Sequence, residues 1–229
     1  MRQYTAEKYI KLVENIDDSI LQSHMKAEVD IISKIKDSKN KTFIDLGSGY
    51  GRIFPDLVKI ARNVVSIDIN PDMLKELKER TKIYKNAMVI EGDIQQLSSL
   101  LEKADVKNPV LLLTQNTLGT IEGDYRKVLF EMKTVAQKYK GEIIISLFRQ
   151  ESLKDWGIKM YSKIQEMVGE PDLQKTDFRK GIFISKTGYE AKWWNLIEIE
   201  EIKNYFGGEI ASEVLTPYFI IIHISLKRP

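Results

Sequence analysis

Cysteine is absent from this sequence of 229 residues, and histidine occurs only twice. Without cysteine the chain can form neither a disulfide nor a thiolate-ligated metal cluster, and two histidines add few ligands, so we expect no metal site. A dominant charge is lacking too, because 35 Lys and Arg against 33 Asp and Glu leave a net charge of +2. Such a balance creates no strong field that would attract nucleic acid, which disfavours a nucleic-acid partner.

Long apolar runs are also missing. The longest run, at residues 218–224, has the length of a strand and is too short to cross a membrane. The N-terminus lacks the apolar core of a secretory signal peptide. We therefore expect no membrane contact and a cytoplasmic location. The 43% apolar and 30% charged content is that of a globular protein, and the length suits one α/β domain with a modest insertion.

A glycine-rich loop follows the first apolar run, between residues 42 and 52. The run ends in an acid, and glycines then alternate with other residues in the pattern Asp45-x-Gly47-x-Gly49-x-Gly51. Glycine tolerates a positive φ and lets a ligand approach main-chain N–H groups without a Cβ in the way. An amphipathic helix comes next, and a helix N-terminus favours a negative ligand group. The loop therefore predicts a site for a nucleotide-like small molecule.

Two other ligand-binding loops fit this segment poorly. The dinucleotide fingerprint Gly-x-Gly-x-x-Gly needs its third glycine where this chain has Arg52, whose bulk would oppose close packing of helix on strand. A Walker loop needs Gly-Lys-Ser or Gly-Lys-Thr, and neither follows the first glycine here. A nicotinamide-dependent oxidoreductase is thus a disfavoured rival interpretation, although it stays open.

Acidic and amide residues follow three further apolar runs, which predict short buried strands. Asp68 ends the second strand, 21 positions after Gly47, a spacing at which an acid can accept hydrogen bonds from both ribose hydroxyls. The third strand ends in Gly92-Asp93, and the fourth leads into Gln115. Strands that alternate with helices indicate a parallel sheet, where ligands bind beyond the carboxyl ends of the strands. We therefore expect these residues to converge on one edge.

The glycine loop and the strand ends together resemble class I S-adenosylmethionine-dependent methyltransferases, over about residues 42–150. The resemblance implies an α/β, Rossmann-like three-layer sandwich with a seven-stranded, mostly parallel sheet and an antiparallel last strand. It implies S-adenosyl-L-methionine as the cofactor, with Asp93 facing the adenine amino group and the next residue packing on the ring. The implied cofactor-binding residues are Asp45, Gly47, Ser48, Gly49, Gly51, Asp68, Ile69, Gly92, Asp93, Ile94 and Gln115.

Some of these residues have a structural alternative. Asp45 could only brace the glycine loop through hydrogen bonds to its backbone. Asp68 could be a solvated strand-end acid, and Asp93 could be the N-cap of the following helix. Asn116 could contact the substrate or be a turn residue only.

Methyl transfer from a sulfonium requires orientation and desolvation rather than a nucleophilic triad, so the sequence offers candidates for a catalytic residue but assigns none. The candidates are Asn116, which follows the fourth strand where the resembled family contacts the substrate, and Tyr189 and Trp193, because an aromatic face near a cation stabilises it by about 0.5–2 kcal/mol. His24 could act as a base, but a solvated helix position is the favoured interpretation. His223 is expected to be a packed or edge residue. Further aromatic candidates for substrate stacking are Tyr4, Tyr9, Tyr50 and Trp194.

The chain is expected to form a single domain, 1–229, in four segments. Residues 1–40 predict an N-terminal helical cap of two pieces, and residues 41–150 the cofactor-binding core. Residues 151–195 predict an inserted helix and β-hairpin that cover the substrate, and residues 196–229 a closing helix and two strands. Within the insertion, one helical stripe is expected to pack in the core: Leu153, Trp156, Met160, Ile164 and Met167.

The expected elements have these limits. Strands are predicted at 42–46, 64–68, 87–91, 110–114, 142–148, 209–215 and 218–225, and a hairpin from 181–185 and 189–194. Helices are predicted at 51–62, 71–85, 94–103, 122–139 and 198–206.

The favoured function is methyl transfer to a small-molecule acceptor, with nitrogen as a candidate acceptor atom. Nucleic-acid amino-methylating enzymes typically carry Asn-Pro-Pro-Tyr or Asp-Pro-Pro-Tyr after the fourth strand, whereas this chain has Thr-Gln-Asn-Thr at 114–117. The resemblance therefore favours the small-molecule branch. The alternatives are an RNA or protein methyltransferase of the same fold, the oxidoreductase, and a non-catalytic ligand-binding module.

Overall fold

The computed structural model describes residues 5–226, which are built around a seven-stranded sheet in the order β3-β2-β1-β4-β5-β9-β8. β9 is antiparallel to both neighbours, whereas β1 to β5 run parallel to one another. The expected Rossmann-like fold with an antiparallel last strand is confirmed. The strands are β1 (Thr42–Leu46), β2 (Asn63–Asp68), β3 (Ala87–Glu91), β4 (Val110–Leu113), β5 (Glu142–Phe148), β6 (Ile182–Ile184), β7 (Glu190–Lys192), β8 (Glu209–Leu215) and β9 (Phe219–Ser225).

Helices cover both faces of this sheet, which explains why all five residues of β1 are buried. One apolar layer joins the sheet to α2, α3 and α4, and the other joins it to α5, α6 and α9. The helices are α1 (Ala6–Tyr9), α2 (Ser19–Ser33), α3 (Phe54–Ile60), α4 (Pro71–Thr81), α5 (Leu97–Leu100), α6 (Tyr125–Tyr139), α7 (Ile158–Lys163), α8 (Gln165–Val168) and α9 (Leu196–Phe206).

The two N-terminal helical pieces are separated at residues 15–18, where the sequence Asn15-Ile16-Asp17-Asp18 predicts a break. α1 continues as a π-helical turn, Ile10–Glu14, and α2 begins after Asp18, whose side chain accepts a hydrogen bond from Leu21 N at 3.1 Å. The aromatic candidate Tyr4 lies outside the described residues.

Four predicted helices of the core are shorter in the structure. α4, predicted at 71–85, ends at Thr81, and α6, predicted at 122–139, begins at Tyr125. The helix after the glycine loop begins at Phe54 rather than at residue 51, because Gly51 has a φ of +82° that an α-helix cannot contain. The helix predicted at 94–103 is a 3₁₀ turn, Ile94–Gln96, followed by α5. The predicted limits of β1, β3, β5 and β8 agree with the structure.

The segment between β5 and α9 departs from the sheet, as expected for an insertion. Its predicted helix is divided into a 3₁₀ turn, a π turn, α7 and α8, yet Leu153, Trp156, Met160 and Ile164 are buried as the stripe predicts. β6 and β7 pair antiparallel and form a separate two-stranded sheet. Gly188 lies in their connection with a φ of +77°, which fits the predicted hairpin.

Candidate functional site

A cavity of about 1030 Å³ lies beyond the carboxyl ends of β1, β2, β3 and β4. Its walls come from the glycine loop, the strand ends, the N-terminal segment and the insertion between β5 and α9. Sites for drug-sized ligands span roughly 300–1,000 Å³, so this cavity is large enough for two small molecules side by side.

Ten of the eleven predicted cofactor-binding residues line this cavity. The exception is Gly51, which is buried below the loop. A Cβ at Gly51 would collide with the side chain of Leu77 and lie 3.2 Å from Cβ of Phe54, so this glycine serves the turn and the packing of α3 on α4. The ten lining residues are Asp45, Gly47, Ser48, Gly49, Asp68, Ile69, Gly92, Asp93, Ile94 and Gln115.

The glycine loop is held against the end of β2. The backbone N–H groups of Gly47 and Ser48 both donate to the carbonyl oxygen of Ile67, at 2.8 and 2.9 Å. Gly49 has a φ of +55°, and a Cβ built on it would meet no atom within 4 Å. The loop therefore leaves open space above Gly49, into which a ligand can approach the main chain.

Two carboxylates lie beneath this loop. Asp68 accepts hydrogen bonds from Gly49 N at 2.7 Å and from Asn70 N at 2.8 Å, but burial still raises its pKa above the ordinary value. Burial raises the pKa of Asp45 to about 7, against the opposing charge of Arg52. No hydrogen bond joins the Asp45 side chain to the described glycine loop, so the structure gives no support to a purely bracing role.

Asp93 has a capping role and also lines the cavity. Its Oδ1 accepts a hydrogen bond from Gln95 N at 2.9 Å, which caps the 3₁₀ turn after β3. Its side chain also contributes to the cavity wall, beside Gly92 and Ile94. The N-cap alternative and a ligand contact are therefore compatible in one residue.

Two buried polar atoms in the cavity wall lack a partner among residues 5–226. They are the hydroxyl oxygen of Ser48 and Nε2 of Gln115. A buried polar group without a hydrogen bond costs about 1–3 kcal/mol, which a polar ligand in the cavity would remove. Gln115 has a φ of +51°, and its Oε1 accepts a hydrogen bond from the hydroxyl of Tyr9.

The three catalytic candidates occupy different environments. Tyr189 lines the cavity. Asn116 is 1% exposed, and it does not contribute to the cavity wall. Trp193 is fully buried, and its indole N–H donates to the hydroxyl of Tyr161 at 3.0 Å. Of the other aromatic candidates, Tyr9 and Tyr50 line the cavity, whereas Trp194 is fully buried.

Residues 37–203 match a family model described as a methyltransferase domain. This match covers more than half of the chain. The chain belongs to this methyltransferase family. The resemblance to class I S-adenosylmethionine-dependent methyltransferases is thereby confirmed at the level of family and fold.

Solved structures of methyltransferases share this fold across nearly the whole chain. An S-adenosylmethionine-dependent methyltransferase from Clostridium acetobutylicum is 16% identical with a TM-score of 0.62, and the alignment covers 96% of this chain and 97% of that one. Magnesium protoporphyrin IX methyltransferase from Synechocystis, crystallised with SAH, is 15% identical with a TM-score of 0.59, covering 96% and 94%. At these identities the likeness establishes the fold.

A relative in sequence acts on RNA according to its name. Ribosomal RNA small subunit methyltransferase A of Clostridium botulinum (strain Loch Maree / Type A3) is 26% identical over 144 residues, which cover 62% of this chain and 50% of that protein. The methyltransferase described here thus matches about half the length of this relative.

Opposite in character to the polar strand ends, one wall of the cavity in this methyltransferase is apolar and aromatic. It comes mainly from the end of β5, from α7 and α8 and from the hairpin. Tyr161 stacks on Phe183 behind this wall, with ring centroids 3.7 Å apart. The apolar and aromatic residues of the wall are Phe148, Met160, Tyr161, Ile164, Met167 and Tyr189.

His24 differs most from its sequence-based interpretation, and its neighbour Glu28 is a buried residue for which the sequence analysis predicts no role. The favoured solvated position for His24 is wrong, because the side chain is fully buried and its ring lies 4.6 Å from that of Phe219. Glu28, one turn later, is also fully buried and pairs with Arg52. The sequence did contain a signal of this burial: His24 follows Leu21 by three residues and Glu28 precedes Ile31 by three, which places both on the apolar face of α2.

His223 lies in β9 and is far from the glycine loop in the sheet. Its Nε2 is 2.7 Å from Oε2 of Glu142, at the amino end of β5. Among residues 5–226, no three His, Cys, Asp or Glu side chains form a group able to hold a metal ion. Within the same residues, no helix has both the length and the apolar composition needed to cross a bilayer.

Proposed function

We propose that this protein is an S-adenosylmethionine-dependent methyltransferase whose acceptor is a small molecule with an apolar body and a reactive nitrogen. One observation carries the proposal: a single cavity joins the polar strand ends to the apolar wall of the insertion. The cofactor and the acceptor would lie side by side in it. Residues 151–195 would cover the acceptor, and the described part of the N-terminal cap would cover the cofactor.

The polar end of the cavity fits the cofactor. Asp68 keeps acceptor capacity for two ribose hydroxyls, and Asp93 with Ile94 offers a polar and an apolar contact for the adenine ring. The hydroxyl of Ser48 and Nε2 of Gln115, which have no partner in the described part of the chain, could bind the polar amino acid end of the cofactor. S-adenosylmethionine supplies a methyl group that its sulfonium makes electrophilic. The protein residues then have to orient the acceptor and exclude water.

The charge of the cavity wall favours cationic occupants. Five acids line it against two basic residues, and a cleft of one sign concentrates ligands of the opposite sign. A sulfonium cofactor matches this charge, and so does an amine whose nitrogen becomes positive as it takes the methyl group, whereas the phosphates of RNA do not. The charged residues of the wall are Asp45, Asp68, Asp93, Glu122, Glu190, Arg52 and Lys192.

The end of the cavity proposed for the methyl acceptor has mostly apolar and aromatic side chains and few charged ones. Tyr189 provides a face and a hydroxyl, and Lys192 is held by Glu198 at 2.8 Å, so its charge is already compensated. A neutral amine carries the lone pair that the reaction needs and requires no general base. An acceptor with a flat apolar body would bury that body against Met160, Tyr161 and Ile164.

A labelled-methyl experiment tests this proposal. The protein is incubated with S-adenosylmethionine carrying a labelled methyl group and with a cell extract separated into low-molecular-mass, RNA and protein fractions. We expect label in the low-molecular-mass fraction and an N-methylated product by mass spectrometry. Heat-inactivated protein is the control for spontaneous methylation.

RNA methylation is the second candidate, because of the name of the Clostridium botulinum relative. Label in the RNA fraction would replace the small-molecule proposal by this alternative, and label in the protein fraction would indicate a protein acceptor. Label in none of them, together with no binding of S-adenosylhomocysteine in calorimetry, would overturn the enzyme proposal as a whole.

A further inference from the structure

The carboxylate of Glu28 lies at the centre of a buried network between the N-terminal cap and the core. Its Oε2 pairs with the guanidinium of Arg52. Its Oε1 accepts hydrogen bonds from the hydroxyl of Ser146 and from the backbone N–H of Gln115, the latter at 2.6 Å. Nε2 of His24 lies 3.3 Å from the same oxygen. One side chain of α2 thus contacts the glycine loop, the end of β4 and β5.

The network keeps a negative charge inside the protein. Burial alone would raise the pKa of Glu28, but the charges of His24 and Arg52 and the hydrogen bonds from Ser146 and Gln115 outweigh it and hold the pKa below the ordinary value. Burial lowers the pKa of His24, which leaves Arg52 as the permanent counter-charge at neutral pH. Buried ion pairs often stabilise a fold no better than apolar packing does, so stability alone does not explain this network.

The strand order indicates which end of the cofactor this network faces. Asp93 follows β3 and Asp68 ends β2, on one side of the glycine loop, while Gln115 follows β4 on the other side. With adenosine at the two acids, the amino acid end would lie between the loop and Gln115. Arg52 and Gln115 both line the cavity there, and Nε2 of Gln115 has no partner in the described part of the chain.

We propose that Glu28 is a positioning residue for the amino acid end of the cofactor, because it aims Arg52 at the cofactor carboxylate and fixes the turn at Gln115. The inference rests on the proposed function. The pair with Glu28 uses Nη2 of Arg52, and a guanidinium carries five N–H donors, so further donors can serve a second carboxylate.

Binding of two ligands to the Glu28→Gln variant tests this role. S-adenosylhomocysteine carries the amino acid end, whereas 5′-methylthioadenosine keeps the adenosine and the sulfur but lacks that end. The glutamine has no negative charge and only one side-chain oxygen, so it cannot accept hydrogen bonds from both Arg52 and Gln115 N as the two carboxylate oxygens of Glu28 do. We expect the Kd of S-adenosylhomocysteine to rise by about tenfold or more, while that of 5′-methylthioadenosine changes by less than about twofold.

A double-mutant cycle with Arg52→Met separates positioning from a general structural effect. Arg52→Met should cause the same selective loss, and Glu28→Gln added to it should weaken S-adenosylhomocysteine by less than it does in the wild-type background, since the part of its effect that acts through Arg52 is already lost. Should Glu28→Gln fail to fold, the selectivity of Arg52→Met tests whether Arg52 contacts the cofactor carboxylate. Ser146→Ala then tests the positioning role, because it keeps the Glu28 carboxylate but removes one of its hydrogen bonds. We expect it to cause a smaller but equally selective loss of S-adenosylhomocysteine binding.

Glu142→Gln is the matched control. Like Glu28, Glu142 is a carboxylate with a cationic partner, but it is only partly buried, pairs with Lys41 and His223, and lies at the amino end of β5. Its variant should bind both ligands as the wild type does. Equal weakening of the two ligands by Glu28→Gln, no weakening, or tighter binding of S-adenosylhomocysteine would each overturn the proposal. Failure of the wild type to bind either ligand would instead contradict the proposed function.

Discussion

The backbone N–H of Gly49 donates a hydrogen bond to Oδ2 of Asp68 at 2.7 Å. The other carboxylate oxygen accepts a hydrogen bond from Asn70 N at 2.8 Å. Each oxygen therefore uses one acceptor position on the backbone and keeps capacity for a ligand. Asp68, the proposed acceptor for the ribose hydroxyls, therefore also helps to hold the glycine loop in place.

Replacement of Asp68 by alanine should weaken cofactor binding strongly. The change removes the acceptor of two proposed ribose hydrogen bonds, at about 1.5–3 kcal/mol each for a charged partner, and frees the N–H of Gly49. We expect the Kd of S-adenosylhomocysteine, measured by isothermal titration calorimetry, to rise by about tenfold or more.

Asp72→Ala is the control for that measurement, because Asp72 is an exposed acid in the first turn of α4, only four positions away. It should leave the affinity within about twofold of the wild type, as distant surface changes do. An unchanged affinity for Asp68→Ala would remove Asp68 from the binding site.

Asp45 should make the stability of the free protein depend on pH. Burial raises its pKa from 3.8 to about 7, so the folded protein holds a proton that the unfolded chain releases near pH 4. The stability contributed by this proton is fully present below pH 3.8 and is lost as the pH rises through about 7. The free energy of unfolding of the wild type should therefore fall relative to that of Asp45→Asn between about pH 4.5 and pH 7.5.

Urea denaturation of both proteins across that range measures the difference. The comparison with Asp45→Asn isolates this residue, because Asp68 and Glu14 also have raised pKa values and titrate in both proteins. Parallel stability curves would show that Asp45 keeps an ordinary pKa in the folded protein.

The strand-end residues could be predicted because their positions follow from a local pattern and a general rule. Asp45, Asp68, Asp93 and Gln115 each follow an apolar run, and the carboxyl ends of parallel strands meet at one edge. Gly51 shows the limit of this reasoning. A glycine needed for positive φ and packing on Leu77 has the same sequence signal as one that faces a ligand.

Long-range contacts decide the environments of His24, for which the sequence favours a solvated position, and of Glu28, for which it predicts no role. A histidine and a glutamate on an amphipathic helix are ordinarily solvated, and their burial depends on Arg52, 24 positions after Glu28, and on Ser146 beyond it. The environment of Trp193 likewise depends on Tyr161, which a local pattern does not reveal.

Asn116 should be important for stability, because its side chain joins three parts of the protein. Its Nδ2 donates to the carbonyl of Lys192 at 2.9 Å, and its Oδ1 accepts from Phe148 N at 3.1 Å and from the indole N–H of Trp194 at 3.0 Å. Its φ of +55° also suits asparagine better than alanine. We expect Asn116→Ala to lower the free energy of unfolding by about 3–5 kcal/mol.

Chemical denaturation measures this change, with Asn204→Ala as the control. Asn204 is exposed on α9, where alanine is a better helix former, so its variant should be as stable as the wild type or slightly more stable. Methyl transfer by Asn116→Ala, assayed well below its unfolding transition, should remain within about tenfold of the wild type, because the side chain does not reach the cavity. A variant of normal stability that binds S-adenosylhomocysteine but transfers no methyl group would instead return Asn116 to the catalytic candidates.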